Sequence, residues 1–274
     1  QNPRHYARFF IRPSCAFKKT QPKKSRGPMR LKAITMSLVL LVFSFAKGQA
    51  AECVGDQDII IGGESGKELA PTQVFRKNNG TEPGTLDPHR AEGVPASNIL
   101  RDLFEGLVME DPSGAYIPGA AESWSLSEDA KIYTFKMREN GKWSNGDVVT
   151  AEDFVYGLRR SVDPATLSNY SSMLYPIKNA RDIVLGKKNP ETLGVRASGP
   201  TTLIIELDEP TPYFLSLLTH STTYAAHRPT IERFGARFTR PGNLVGNGAF
   251  KLKEWRVQSH IKLVRNTEYW DNEN

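Results

Sequence analysis

Apolar and polar positions alternate over residues 131–137, KIYTFKM, with Tyr133, Phe135 and Met137 on one face and Ile132, Thr134 and Lys136 on the other. That is the pattern of a half-buried strand. Residues 201–207, TTLIIEL, repeat it with Leu203, Ile205 and Leu207. Between the two the period changes. Asn145-Gly146 offers a turn, because those residues reach positive φ at small cost. Thr150 and Asp153 have the spacing of a capping box, and Phe154, Val155 and Leu158 give the helix that follows one apolar stripe. Asp163-Pro164 ends it, since a residue before proline is pushed out of the helical region.

The same reading predicts a first strand at QVFRKN, residues 73–78, and a helix over residues 97–105. That helix would turn Ile99, Leu100, Leu103 and Phe104 inward and stop at Gly106. PYFLSLL, residues 212–218, reads as a short buried helix; residues 229–234 form another, with Pro229 near its start and Gly235 closing it. AFKLKEW and HIKLVRN pair as a hairpin. Strand and helix types alternate without internal repeats, so a mixed α/β fold is expected.

Charge changes the picture at the front. The formal net charge is +6, but residues 1–50 hold eleven Lys or Arg and no acid; from Ala51 onward 25 basic residues face 30 acidic, a net of −5. A nucleic-acid partner, which needs a basic face on the folded part, is disfavoured. Residues 29–50 read as a signal peptide: a basic start at Arg30 and Lys32, an apolar run over residues 34–46, and small residues at Gly48 and Ala50 before cleavage. The apolar run is shorter than the roughly 20 residues that span a bilayer, so export is expected and stable membrane insertion is not. Residues 1–28 stand as an upstream extension or leader, whose basic composition also permits organellar targeting. Glu52 before Cys53 spoils a lipobox, and Cys53 alone, once Cys15 is removed with the leader, builds no disulfide scaffold. His89, His220, His227 and His260 lack ligand spacing, so neither metal nor cofactor is expected.

Two runs carry a resemblance. AESW, the alternating strand, KWSNGD and TAEDFVYGLRR follow one another over residues 121–160, after NNGTEPGTLDPHRAEGVPASNILRDLFEGL at residues 78–107. In that order they resemble the family 5 bacterial extracellular solute-binding proteins, and the second run resembles the oligopeptide-binding branch. The likeness continues through ELDEPTPYFLSLLTH and NLVGNGAFKLKEW to the end. It implies a type II-like periplasmic binding protein fold, with residues 54–104 and 228–274 in a first lobe and residues 105–227 as a smaller inserted α/β domain. A second ligand-enclosing lobe is missing from this chain on that reading. The resemblance further implies a monomeric, non-enzymatic, periplasmic receptor for oligopeptides that hands them to the membrane subunits of an ABC importer.

The family's motif places Glu92, Gly93 and Val94 on the cleft wall, pairing their main chain with that of the peptide. Alone, the segment reads as a loop. Main-chain pairing suits a receptor for many sequences, because every peptide offers the same backbone groups. Tyr170 and His220 fall where the family lines its pocket; alone, Tyr170 is an interdomain aromatic and His220 a residue favoured by a helix dipole. Residues 221–230, STTYAAHRPT, depart from the family's small and proline residues, which leaves the lining beyond His220 open. The rival readings are an exported peptide or cell-wall hydrolase and a truncated fragment without function. Motifs favour neither: IGGESGKE at residues 61–68 has Ile61 where a P-loop needs glycine, and Lys67 where a nucleophile elbow needs its second glycine.

Overall fold

The computed structural model describes residues 73–272; the segments read as a leader and a signal peptide, Cys53 and the run at 61–68 lie outside them. Its main sheet has four strands, β3 (Ala121–Leu126), β4 (Ile132–Met137), β5 (Val195–Ala197) and β6 (Thr202–Glu206), ordered β3-β4-β6-β5 and antiparallel throughout. Alternation sets the register: Tyr133 lies opposite Ile205 and Phe135 opposite Leu203, and all four are buried with Met137. A slip of one residue would carry this whole set to the exposed face.

Helix α2 (Ala151–Val162) packs on β5 and β6 through Phe154, Val155 and Leu158. Asp153 accepts the Thr150 N–H at 2.8 Å and its hydroxyl at 3.0 Å, which closes the expected cap. The same carboxylate accepts the indole N–H of the fully buried Trp143 at 3.3 Å, joining the cap to the preceding turn. That turn runs through Gly146, at φ +95°, and Asp163 ends α2 in an extended conformation, as expected.

Before the sheet come α1 (Gly93–Leu103) and the small hairpin β1 (Val108–Glu110) with β2 (Tyr116–Pro118). Ala96, Ile99, Leu100 and Leu103 recur at helical spacing and are the buried face of α1. Short helices α3 (Ala180–Val184), α4 (Phe214–Leu217) and α5 (Arg228–Phe234) follow, and Gly235 closes α5 at φ +52°. The expected hairpin is β7 (Phe250–Arg256) with β8 (His260–Arg265), and β7 lies against α1.

Two expectations need correction. QVFRKN pairs with no strand among the described residues, and Val74 and Phe75 are exposed. Its alternation fits a strand, but a strand needs a partner for its backbone groups. Helix α1 begins at Gly93 rather than near Ser97 and stops at Leu103, so Phe104 is buried as an extended cap. Pro95 reads as a loop residue, yet the first turn of a helix needs no N–H from it. No helix among the described residues is long and apolar enough to cross a membrane.

Candidate functional site

Glu92 is extended, at φ −128° and ψ 149°, and Gly93 turns the chain into α1 at φ +77°, a conformation that other residues adopt only with strain. Both are exposed, and Val94 is 71% exposed. Gly93 and Val94 stand in the first turn, where a helix leaves its N–H groups without intrahelical acceptors. The segment therefore offers backbone donors beside an extended residue, at a surface position.

What holds it there is a buried polar network. Asp87 accepts two hydrogen bonds from the Arg160 guanidinium, at 2.8 and 2.6 Å, and its main-chain oxygen accepts the N–H groups of Arg90 and Ala91. Arg160 also donates to His89 Nδ1 at 2.8 Å. Nδ1 is thus an acceptor, and Nε2 carries the proton that it donates to the Tyr224 carbonyl at 3.0 Å. Burial, and then the Arg160 charge, pull the His89 pKa down to about 4, so the ring is neutral at pH 7. Burial disfavours charge on Asp87 as well, but the Arg160 hydrogen bond and the neighbouring charges hold its pKa below the usual value. On the other side, the Asn79 amide donates to the Pro95 carbonyl at 2.9 Å and accepts from Asn98 at 3.2 Å, tying the first turn of α1 to the preceding loop.

Tyr170 and His220, fifty positions apart, meet edge to face, with ring centroids at 4.9 Å and planes at 67°. Both are half-buried. His220 Nδ1 accepts the Thr222 N–H at 3.2 Å, so in the neutral ring Nε2–H is the remaining donor. His220 therefore begins the next turn rather than serving the end of α4. Burial, and then the charge of Arg101, lower its pKa. Among the described residues no hydrogen bond or ring contact joins residues 92–94 to Tyr170 or His220. Helix α1 relates them: it starts at Gly93 and carries Arg101, about 12 Å further along its axis at 1.5 Å per residue, close enough to act on His220.

The run after His220 is packing rather than lining. Ser221 to His227 are all buried, and Gly157 of α2 lies so close that a Cβ there would sit 2.5 Å from the Tyr224 carbonyl oxygen. Sequence reasoning missed Arg101 and the Asp87–Arg160–His89 network. The available hint was a TLDPH turn carrying an acid and a histidine, but nearer cations such as Arg90 and Arg101 gave no reason to choose Arg160, 73 positions away.

Residues 115–274 match the family described as bacterial extracellular solute-binding proteins, family 5, middle part. Over 210 residues the chain is 49% identical to the periplasmic oligopeptide-binding protein OppA of Salmonella typhimurium, covering 76% of this chain and 38% of that one. It is 43% identical over 235 residues to the periplasmic murein peptide-binding protein MppA of Escherichia coli, covering 85% of this chain and 42% of the relative. The crystal structure of Haemophilus influenzae OppA in complex with RPPGFSPFR superposes with a TM-score of 0.70 at 45% identity, over 72% of this chain and 39% of that one. The chain thus spans about two fifths of the length of these relatives.

Proposed function

The chain belongs to the family 5 bacterial extracellular solute-binding proteins, and from that premise we propose that it supplies one wall of a periplasmic receptor that binds oligopeptides and delivers them to an ABC importer. The wall acts by binding alone and performs no chemistry on the ligand. The observation that carries this reading is the exposed segment of Glu92, Gly93 and Val94, extended and then turned into a helix start, and fixed to α2 through Asp87 and Arg160. Its donors are aimed by the scaffold and not consumed by it, which suits main-chain recognition of a peptide. Tyr170 and His220 form a second contact, with an aromatic edge and an N–H donor for a ligand side chain.

In this reading residues 54–104 and 228–274 belong to a first lobe and residues 105–227 to an inserted domain. The four-stranded sheet lies wholly within the latter span, and β7 lies against α1 of the former. The test is calorimetry of the full-length receptor with peptides of varied sequence. Saturable binding of many sequences, with the peptides recovered intact, supports the proposal. Turnover of the peptides, or absence of binding across the panel, overturns it.

A further inference from the structure

A buried acid that takes no part in the proposed peptide site lies just beyond the C-terminal end of α1. Glu105 is 4% exposed. Its backbone is pinned on both sides by Asn247, which accepts the Glu105 N–H at 3.1 Å and donates to its carbonyl at 2.9 Å. Its carboxyl group meets the Tyr269 hydroxyl at 2.6 Å and the Trp270 indole N–H at 2.7 Å, both from the segment after β8. We propose that Glu105 is a proton-operated fastener: neutral, it holds Tyr269 and Trp270 against the end of α1, and ionised, it lets that segment loosen.

The charged groups around it explain the direction. Arg138, just after β4, is the cation that acts on Glu105, but its Nε donates to the Gly119 carbonyl at 2.6 Å and its guanidinium lies 3.5 Å over the Trp270 ring. Lys142 lines the same cavity and is paired with Glu268 at 3.2 Å. Asp271 adds negative charge from the segment itself. The cavity beside Glu105 is about 10 Å³, room for about one water at most and far short of the hydration that an ionised carboxylate has when exposed. A neutral carboxyl keeps both contacts: its carbonyl oxygen accepts from Trp270, which can only donate, and its O–H can donate to the Tyr269 oxygen in place of the Tyr269 O–H bond that an ionised carboxylate accepts.

Burial raises the Glu105 pKa from 4.5 to about 7; the Tyr269 and Trp270 hydrogen bonds and Arg138 lower it, and Asp271 raises it again. The closed arrangement therefore binds the proton more tightly than an opened one in which the group is hydrated. Closure is strongest at pH values below 4.5, declines as the pH rises toward 7, and levels off above that.

Amide hydrogen exchange of residues 266–272, corrected for intrinsic rates, reads the fastening directly. Between about pH 5.5 and about pH 8.5 the opening equilibrium is expected to rise about thirtyfold, from the difference between 4.5 and about 7. Glu105→Gln reproduces the neutral donor and acceptor pattern, so at about pH 8.5 it should be as protected as the unmutated chain is below pH 4.5, and more protected than that chain at about pH 5.5. Asp271→Asn should move the midpoint to lower pH. Equal protection of the unmutated chain at both values overturns the proposal, as does a pH dependence that survives in Glu105→Gln. If Glu105→Gln fails to fold, the Asp271→Asn midpoint decides: a downward shift supports the fastener, and an unmoved midpoint overturns it.

Discussion

Val94→Pro isolates a single backbone donor. Val94 is the second residue of α1 and is followed by Pro95, so its N–H has no intrahelical acceptor and its removal breaks no helix bond. The ring requires φ near −65°, which the first turn supplies, and Gly93 before it is already outside the right-handed helical region. The fold should therefore tolerate the change, with a thermal midpoint close to that of the unmutated receptor. If the donor meets a peptide carbonyl, its loss leaves that carbonyl buried and unpaired, at about 1–3 kcal/mol. At about 1.4 kcal/mol per tenfold, the Kd rises about 5- to 150-fold. Every peptide carries the carbonyl, so the factor should be the same across a panel. Val94→Ala keeps the N–H and removes only part of an exposed side chain, and it should leave affinity nearly unchanged. Calorimetry on the full-length receptor measures both. A Val94→Pro loss confined to some sequences, or matched by Val94→Ala, refutes the main-chain argument.

His220→Ala should change preference among peptides: removal of the Nε2–H donor weakens those with acidic or amide side chains and spares a mostly alanine peptide, as the same calorimetric panel would show. Arg160→Met leaves Asp87 buried without its cation and should cost roughly 3–5 kcal/mol in chemical denaturation; Asp87→Asn added to it should restore part of the loss. Because the folded Asp87 pKa lies below its unfolded value of 3.8, the stability from this group is present above that value and lost as pH falls through the folded pKa, a window that unfolding curves in acid can follow. Gly157→Ala places a Cβ 2.5 Å from the Tyr224 carbonyl oxygen, and since backbone must move to make room, a loss of about 1–3 kcal/mol is expected by thermal denaturation.

Local rules reached those elements whose reason for forming is local. The alternation in β4 and β6, the Thr150 and Asp153 cap and the β7–β8 hairpin depend on residues close in sequence, and the structure has them where expected. The errors arise where a distant group decides. QVFRKN has strand periodicity, which says nothing about whether a partner exists. Residues 92–95 carry glycine and proline, common to loops and to first helical turns, and what fixes the outcome is the anchoring of Asp87 by Arg160, 73 positions away. The meeting of Tyr170 with His220 was not legible, since nothing near either residue signals the other and the resemblance placed each one separately. The Ser221–His227 run, open as a lining in the sequence, is core because Gly157 lets α2 approach it.

Helix α1 is gripped at both ends by different parts of the chain, and this gives the exposed segment its meaning. At its start, Arg160 of α2 fixes the turn that leads to Glu92. At its end, the Gly248 N–H donates to the Leu103 carbonyl at 3.0 Å, and Asn247 holds Glu105 on both sides. A Cβ on Gly248 would lie 2.6 Å from the Leu103 carbonyl carbon, so only glycine allows this approach. A helix free at either end could rock, and donors on its first turn would then pay an ordering cost each time a ligand arrived. Fixed at both ends, it would present Gly93 and Val94, on the proposed reading, in one geometry before any ligand comes. Recognition by main chain needs that order, because it has no side-chain pocket from which to recover the cost.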